Sequence, residues 1–160
     1  MKPETITKQI FKIIPALLLV TLSAFLLQGD VWTFWTWYLL ALVLGAAAMP
    51  LTGRLFRRFQ DRGWMFSKVT AIAVSGFLTW FLVAVKILKF TTMPCIVVTL
   101  VCAAASLILY CREQKAGFEC IPFAHLDLVY AEELLFFAAF LLWTYFAGFH
   151  PAAYGTEKFM

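Results

Sequence analysis

The strongest constraint on this chain is a series of apolar runs from which charge is absent or confined to the ends. No charged residue occurs from Ile13 to Gly29. About 20 apolar residues cross a bilayer core, so this run predicts a first membrane span, with Lys12 placed to snorkel at its edge. Runs at residues 31–50, 69–85, 91–111 and 128–149 predict four more. The expected fold is therefore all-α: a polytopic transmembrane helical bundle of about five spans, one transmembrane domain over residues 1–160. A composition 63% apolar and 14% charged, with mean hydropathy +0.86, leaves too little polar surface for a soluble domain of this length.

Charge sets the expected orientation. Arg54, Arg57, Arg58, Arg62 and Lys68 stand against one Asp61 between the second and third runs, which places that segment in the cytoplasm. Lys2, Lys8 and Lys12 put the N-terminus on the same side, and five spans then leave the C-terminus on the outer face. Lys86 and Lys89, in a short outer connection, run mildly against the rule. The net charge of +4 thus reads as topology and contact with anionic head groups, and nucleic acid is excluded as a partner. The segment before Asp30, Phe25-Leu26-Leu27-Gln28-Gly29, lacks the small-x-small pattern of a cleaved signal, so the first span is expected to stay, joined by a tight turn to the second.

Within the runs, Trp32, Trp35, Trp37 and Tyr38 form an aromatic cluster suited to the head-group level, or to a stacking platform for a sugar or lipid. Gly45-Ala46-Ala47-Ala48 and Ala103-Ala104-Ala105-Ser106 offer small faces for close helix approach. Pro50 is expected to end the second helix, and residues 55–59 to form a short interfacial helix. Cys95, Cys102, Cys111 and Cys120 contain no C-x-x-C pair and read as apolar fillers and loop thiols; a loop site of Cys111, Cys120 and His125 lacks a fourth ligand. Residues 112–127, with Glu113, Lys115, Glu119, His125 and Asp127, read as a solvated connector. Glu132 and Glu133 are too costly to face lipid at depth, so they belong at the inner interface or against the bundle, with Arg112 or Lys68 as partners. Neither nucleotide-binding glycine patterns nor hydrolase or zinc-protease motifs occur, which removes the common soluble enzyme classes.

Two stretches carry a resemblance. Asp61-Arg62-Gly63-Trp64-Met65-Phe66-Ser67-Lys68, leading into an apolar span, and Glu133 to Phe149, leading into His150-Pro151 and Gly155-Thr156-Glu157-Lys158-Phe159-Met160, resemble the N-terminal part of the Chlor_Arch_YYY family over residues 39–160. That family comprises large multi-span membrane proteins named for a run of three tyrosines, similar in layout to C-type glycosyltransferases. The resemblance implies the leading part of a longer or split protein of the cell membrane, completed by further spans. It implies an enzyme that takes sugar from a polyprenyl-phosphate carrier, with Glu157 as the catalytic carboxylate, removing the acceptor proton or holding a divalent metal, and Lys158 as partner of the donor phosphate. The alternatives are a non-catalytic helical scaffold or assembly module, and a Glu157-Lys158 pair that only caps a following helix.

Overall fold

The computed structural model describes residues 3–117 and 125–149, with side chains described from Ile13 onward. It is all helical over those residues. Helix α1 runs Pro3–Leu27, followed by a 3-10 turn at Gln28–Asp30; α2 is Val31–Leu55, α3 Trp64–Ala84, α4 Thr92–Lys115 and α5 Leu126–Phe149. Three stretches among the described residues are long and apolar enough to cross a membrane: Ile13–Leu55, Trp64–Ala84 and Thr92–Lys115. The first is 43 residues long, which as one straight helix would reach about 65 Å, twice the bilayer core. Its interruption lies where the sequence places it: Gln28 takes φ +41°, a left-handed conformation no helix interior accepts.

The boundaries depart from expectation in three places. Pro50 lies inside α2 instead of ending it. Proline costs the helix one N–H bond and crowds the carbonyl four residues back, yet the helix continues for another turn, where Thr52, fully buried, gives its hydroxyl to the Ala48 and Met49 carbonyls. Residues 56–63 form turns, not an interfacial helix. The apolar residues there close on each other instead: Phe56 packs against Phe59 and stacks on Phe66, with centroids 5.6 and 5.1 Å apart. Gly63, at φ +76°, then turns the chain into α3; a Cβ there would lie 2.6 Å from the Phe56 ring, so the turn requires glycine. Helix α3 therefore starts five residues before the expected span, taking Trp64 and Lys68 into the helix.

The chain divides into two compact units, Met1–Tyr38 with Leu134–Met160, and Leu39–Glu133. In the first, Phe34, Tyr38, Phe137 and Leu141 are buried together, with Leu19, Leu26, Leu27, Trp35, Phe136 and Phe140 around them. The rings meet edge to face, Tyr38 on Phe137 at 4.8 Å and Phe34 on Phe137 at 5.4 Å, the geometry their quadrupoles favour. Of the aromatic cluster at the start of α2, Trp35 and Tyr38 are thus absorbed into packing, while Trp32 and Trp37 remain outside. In the second unit α3 and α4 pack along each other, and Gly45 of α2 admits α3: a Cβ at Gly45 would fall 2.7 Å from Lys68 Cγ and 2.9 Å from Ser67 Oγ.

Burial is inverted relative to a water-soluble protein. The buried set includes Ser23, Thr52, Ser67, Ser75, Thr79, Ser106, Asp61 and Lys68, while Phe25, Phe77, Trp80, Leu100, Ile108 and Trp143 face outward. In water such an apolar surface would drive association; against hydrocarbon it is the surface of lowest energy. Most hydroxyls are satisfied within their own helix, as in Ser75 to Ala71, Thr79 to Ser75 and Thr99 to Cys95. The chain is a helical membrane protein on these grounds.

Gly45→Val should lower stability by about 1–3 kcal/mol through overpacking against α3. Reversible unfolding of the purified protein in mixed micelles measures it, and an unchanged midpoint would show that α2 and α3 do not depend on that close approach.

Candidate functional site

The densest set of ionisable side chains lies where α3 begins and α5 makes its second turn, within the second unit. Lys68 is 2% exposed, Asp61 5%. The lysine Nζ donates to Glu133 Oε2 at 2.6 Å, and the Trp64 indole Nε1 donates to the same oxygen at 2.9 Å. The ammonium also lies 4.9 Å from the centre of the Trp64 ring, so one indole contacts both charges, by its N–H and by its π face. Trp64 and Lys68 are four residues apart on α3 and hence on one face. The left-handed turn at Gly63 starts the helix in the register that brings both to Glu133.

Of the two expected partners for the glutamate pair, Lys68 is the one the structure provides. Glu132, one residue earlier and about 100° around the helix, meets the Asp61 carboxyl, with the Lys68 charge close by. One of its oxygens, Oε2, is buried without a hydrogen-bond partner. The two glutamates therefore do different work. Glu133 neutralises a buried cation, and Glu132 sets a second carboxyl beside Asp61, where like charges repel.

A second cluster joins the ends of α2 and α4. Arg54 Nη1 and Arg57 Nη2 bracket Glu113, at 3.0 and 3.2 Å from its two oxygens. Helix α4 extends to Lys115, so Glu113 is a helical residue in a defined contact and not part of a solvated connector. His125 is exposed just ahead of α5. Among the described residues no three of His, Cys, Asp and Glu are grouped to hold a metal ion. Cys120, Glu119 and the expected catalytic pair Glu157 and Lys158 lie outside the described residues.

The residues missed by sequence reasoning are Trp64 and Asp61 as members of this cluster. The signal was there: Asp61, Trp64 and Lys68 follow one another at helical spacings of three and four. Assigning them to a cytoplasmic loop hid it. Lys68 counts in the sequence both as a topology charge and as a candidate partner of the glutamates, and a lysine just inside an apolar helix is readily a bundle-facing group.

The family model described as uncharacterized membrane protein (DUF2298) matches residues 74–160. It includes the stretch from Glu133 onward and excludes residues 61–68. No curated protein and no solved structure matches the chain.

Glu133→Gln should remove the charge in contact with Lys68, leaving the Glu132 and Asp61 carboxyls nearby, and cost up to about 3–5 kcal/mol, and Lys68→Met with Glu133→Leu should recover most of it. Glu132→Gln should leave stability intact or raise it, since it removes repulsion with Asp61. Unfolding midpoints of the four proteins decide; equal losses for the two single glutamate variants would contradict this division of roles.

Proposed function

We propose, from the premise that the chain belongs to the family of uncharacterized membrane proteins (DUF2298), that it is the N-terminal segment of a C-type glycosyltransferase-like enzyme acting on a polyprenyl-phosphate-linked sugar. The observation that carries the reading is the Lys68–Glu133 pair at 2.6 Å. It ties together the two stretches on which the resemblance to such enzymes rests, residues 61–68 and the run beginning at Glu133. In this reading α1 to α5 are five spans, the N-terminus lies in the cytoplasm, and α5 delivers Glu157 to the outer face. The Lys68–Glu133 pair fixes the start of α5, and with it the depth at which the span ends.

Glycosyl transfer to a hydroxyl requires a base for the acceptor proton and positive charge for the phosphate that leaves. Glu157 supplies the first: its carboxylate takes the proton as the acceptor oxygen attacks the anomeric carbon. Lys158 supplies the second, its ammonium balancing the charge that grows on the phosphate as the glycosidic C–O bond breaks. Further spans of the protein would complete the acceptor and carrier sites.

A scaffold without catalysis is the second reading. The small-residue face at Gly45 and the engagement of Lys68, Glu133, Arg54, Arg57 and Glu113 in internal pairs favour it. Glu157→Gln in the full-length protein distinguishes the two. The enzyme reading expects consumption of lipid-linked sugar to fall at least a hundredfold, with expression and thermal stability unchanged. Turnover equal to the parent's would remove Glu157 from the chemistry and leave the scaffold.

A further inference from the structure

Helices α2, α3 and α4 line an open-sided cavity of about 240 Å³, bounded by Ala47 and Leu51 of α2, Val74 and Ser75 of α3, and Ala103 and Ser106 of α4. Its walls are nearly all apolar. Of the hydroxyl residues that line it, Ser75 and Thr99 give their hydroxyls to Ala71 and Cys95 of their own helices, whereas Ser106, 8% exposed, has an Oγ with no hydrogen-bond partner. A buried hydroxyl without a partner costs free energy that a ligand acceptor would recover.

The charge at one end of this cavity indicates what fills it. Leu51 and Leu109 line its margin, and one turn further along their helices stand Arg54 and Arg112. Arg54 and Arg57, each half exposed, both contact Glu113, and Arg112 and Lys115 stand in the last turn of α4, so basic residues outnumber acidic ones among the described side chains there. A basic cluster one helical turn beyond an apolar cavity between membrane-spanning helices matches a molecule with an anionic head and an apolar tail. The volume is far too small for a further helix, whose diameter is about 10 Å, but it takes part of an acyl chain. Ser106 lies about 9 Å along α4 from Arg112, so a lipid with its phosphate among the arginines runs past this hydroxyl, and its glycerol esters are the acceptors nearest to it.

We propose that this cavity and the arginines above it form a binding site for an anionic phospholipid, with phosphate at Arg54, Arg57 and Arg112, one ester carbonyl at Ser106, and one acyl chain between α2, α3 and α4. The site is independent of Glu157 and of the glycosyl-transfer reading. It makes the packing of α2 against α3 and α4 responsive to the charge of the surrounding lipid.

The test is titration of the purified intact protein in detergent with phosphatidylglycerol, phosphatidylcholine and glycerol phosphate, read by native mass spectrometry and by thermal unfolding. Phosphatidylglycerol should bind at least tenfold more tightly than phosphatidylcholine and raise the unfolding temperature, while glycerol phosphate does neither. Arg112→Gln, which leaves the Glu113 pairs in place, should weaken phosphatidylglycerol binding about fivefold. Ala103→Phe and Ala47→Leu, filling the cavity from different helices, should weaken it while preserving helicity. Equal binding of the two phospholipids, stabilisation by glycerol phosphate alone, or undiminished binding in both folded cavity-filling variants would each overturn the site.

Discussion

The contact on which the second unit depends is the bond between Lys68 and Glu133. An ammonium at the start of an apolar helix is tolerated only with a counter-charge at contact distance, and at 2.6 Å it has one. Several neighbouring features follow from placing that pair. Gly63 must take a left-handed conformation so that α3 begins in the right register, and Gly45 must lack a side chain so that the lysine stem can lie against α2. Trp64 must stand four residues before Lys68 so that its indole closes over both charges. Replacing any of the three small or aromatic groups disturbs the pair without touching either of its charges.

Packing elsewhere in the described residues follows a second logic. The aromatic group around Phe34 and Phe137 is held by ring geometry, with no charge involved. The hydroxyls that line the helices are turned back to their own carbonyls, so they add little directional adhesion between helices. What remains between helices is shape, and the small residues of α2 and α4 determine how closely the backbones approach. Where those small faces do not meet, they leave the cavity beside Ser106.

The sequence announces the helices clearly because uncharged length is an unambiguous signal: each expected run coincides with a helix to within two residues of overhang, and the break at Gln28 falls within the expected turn. It conveys less about where helices end. Pro50 and the basic residues after it suggest a stop, but proline forfeits only one donor and Thr52 supports the turn that follows. The site was half legible. That Glu132 and Glu133 needed partners follows from their cost in an apolar setting, and Lys68 was one of two candidates. That adjacent glutamates would separate into one pairing with a cation and one lying beside Asp61 depends on helix rotation against α3, which no local pattern encodes.

The separation of Lys68 from Glu133 along the chain, 65 residues, has a consequence for synthesis. Translated at about 5–20 residues per second, α3 emerges some 3–13 s before the carboxylate it needs. During that interval the lysine can avoid hydrocarbon only by extending its stem toward the head groups, which holds α3 at a shallower depth. Arrival of α5 draws the ammonium inward. The contact that holds Lys68 in place is thus among the last in the second unit to become available during synthesis.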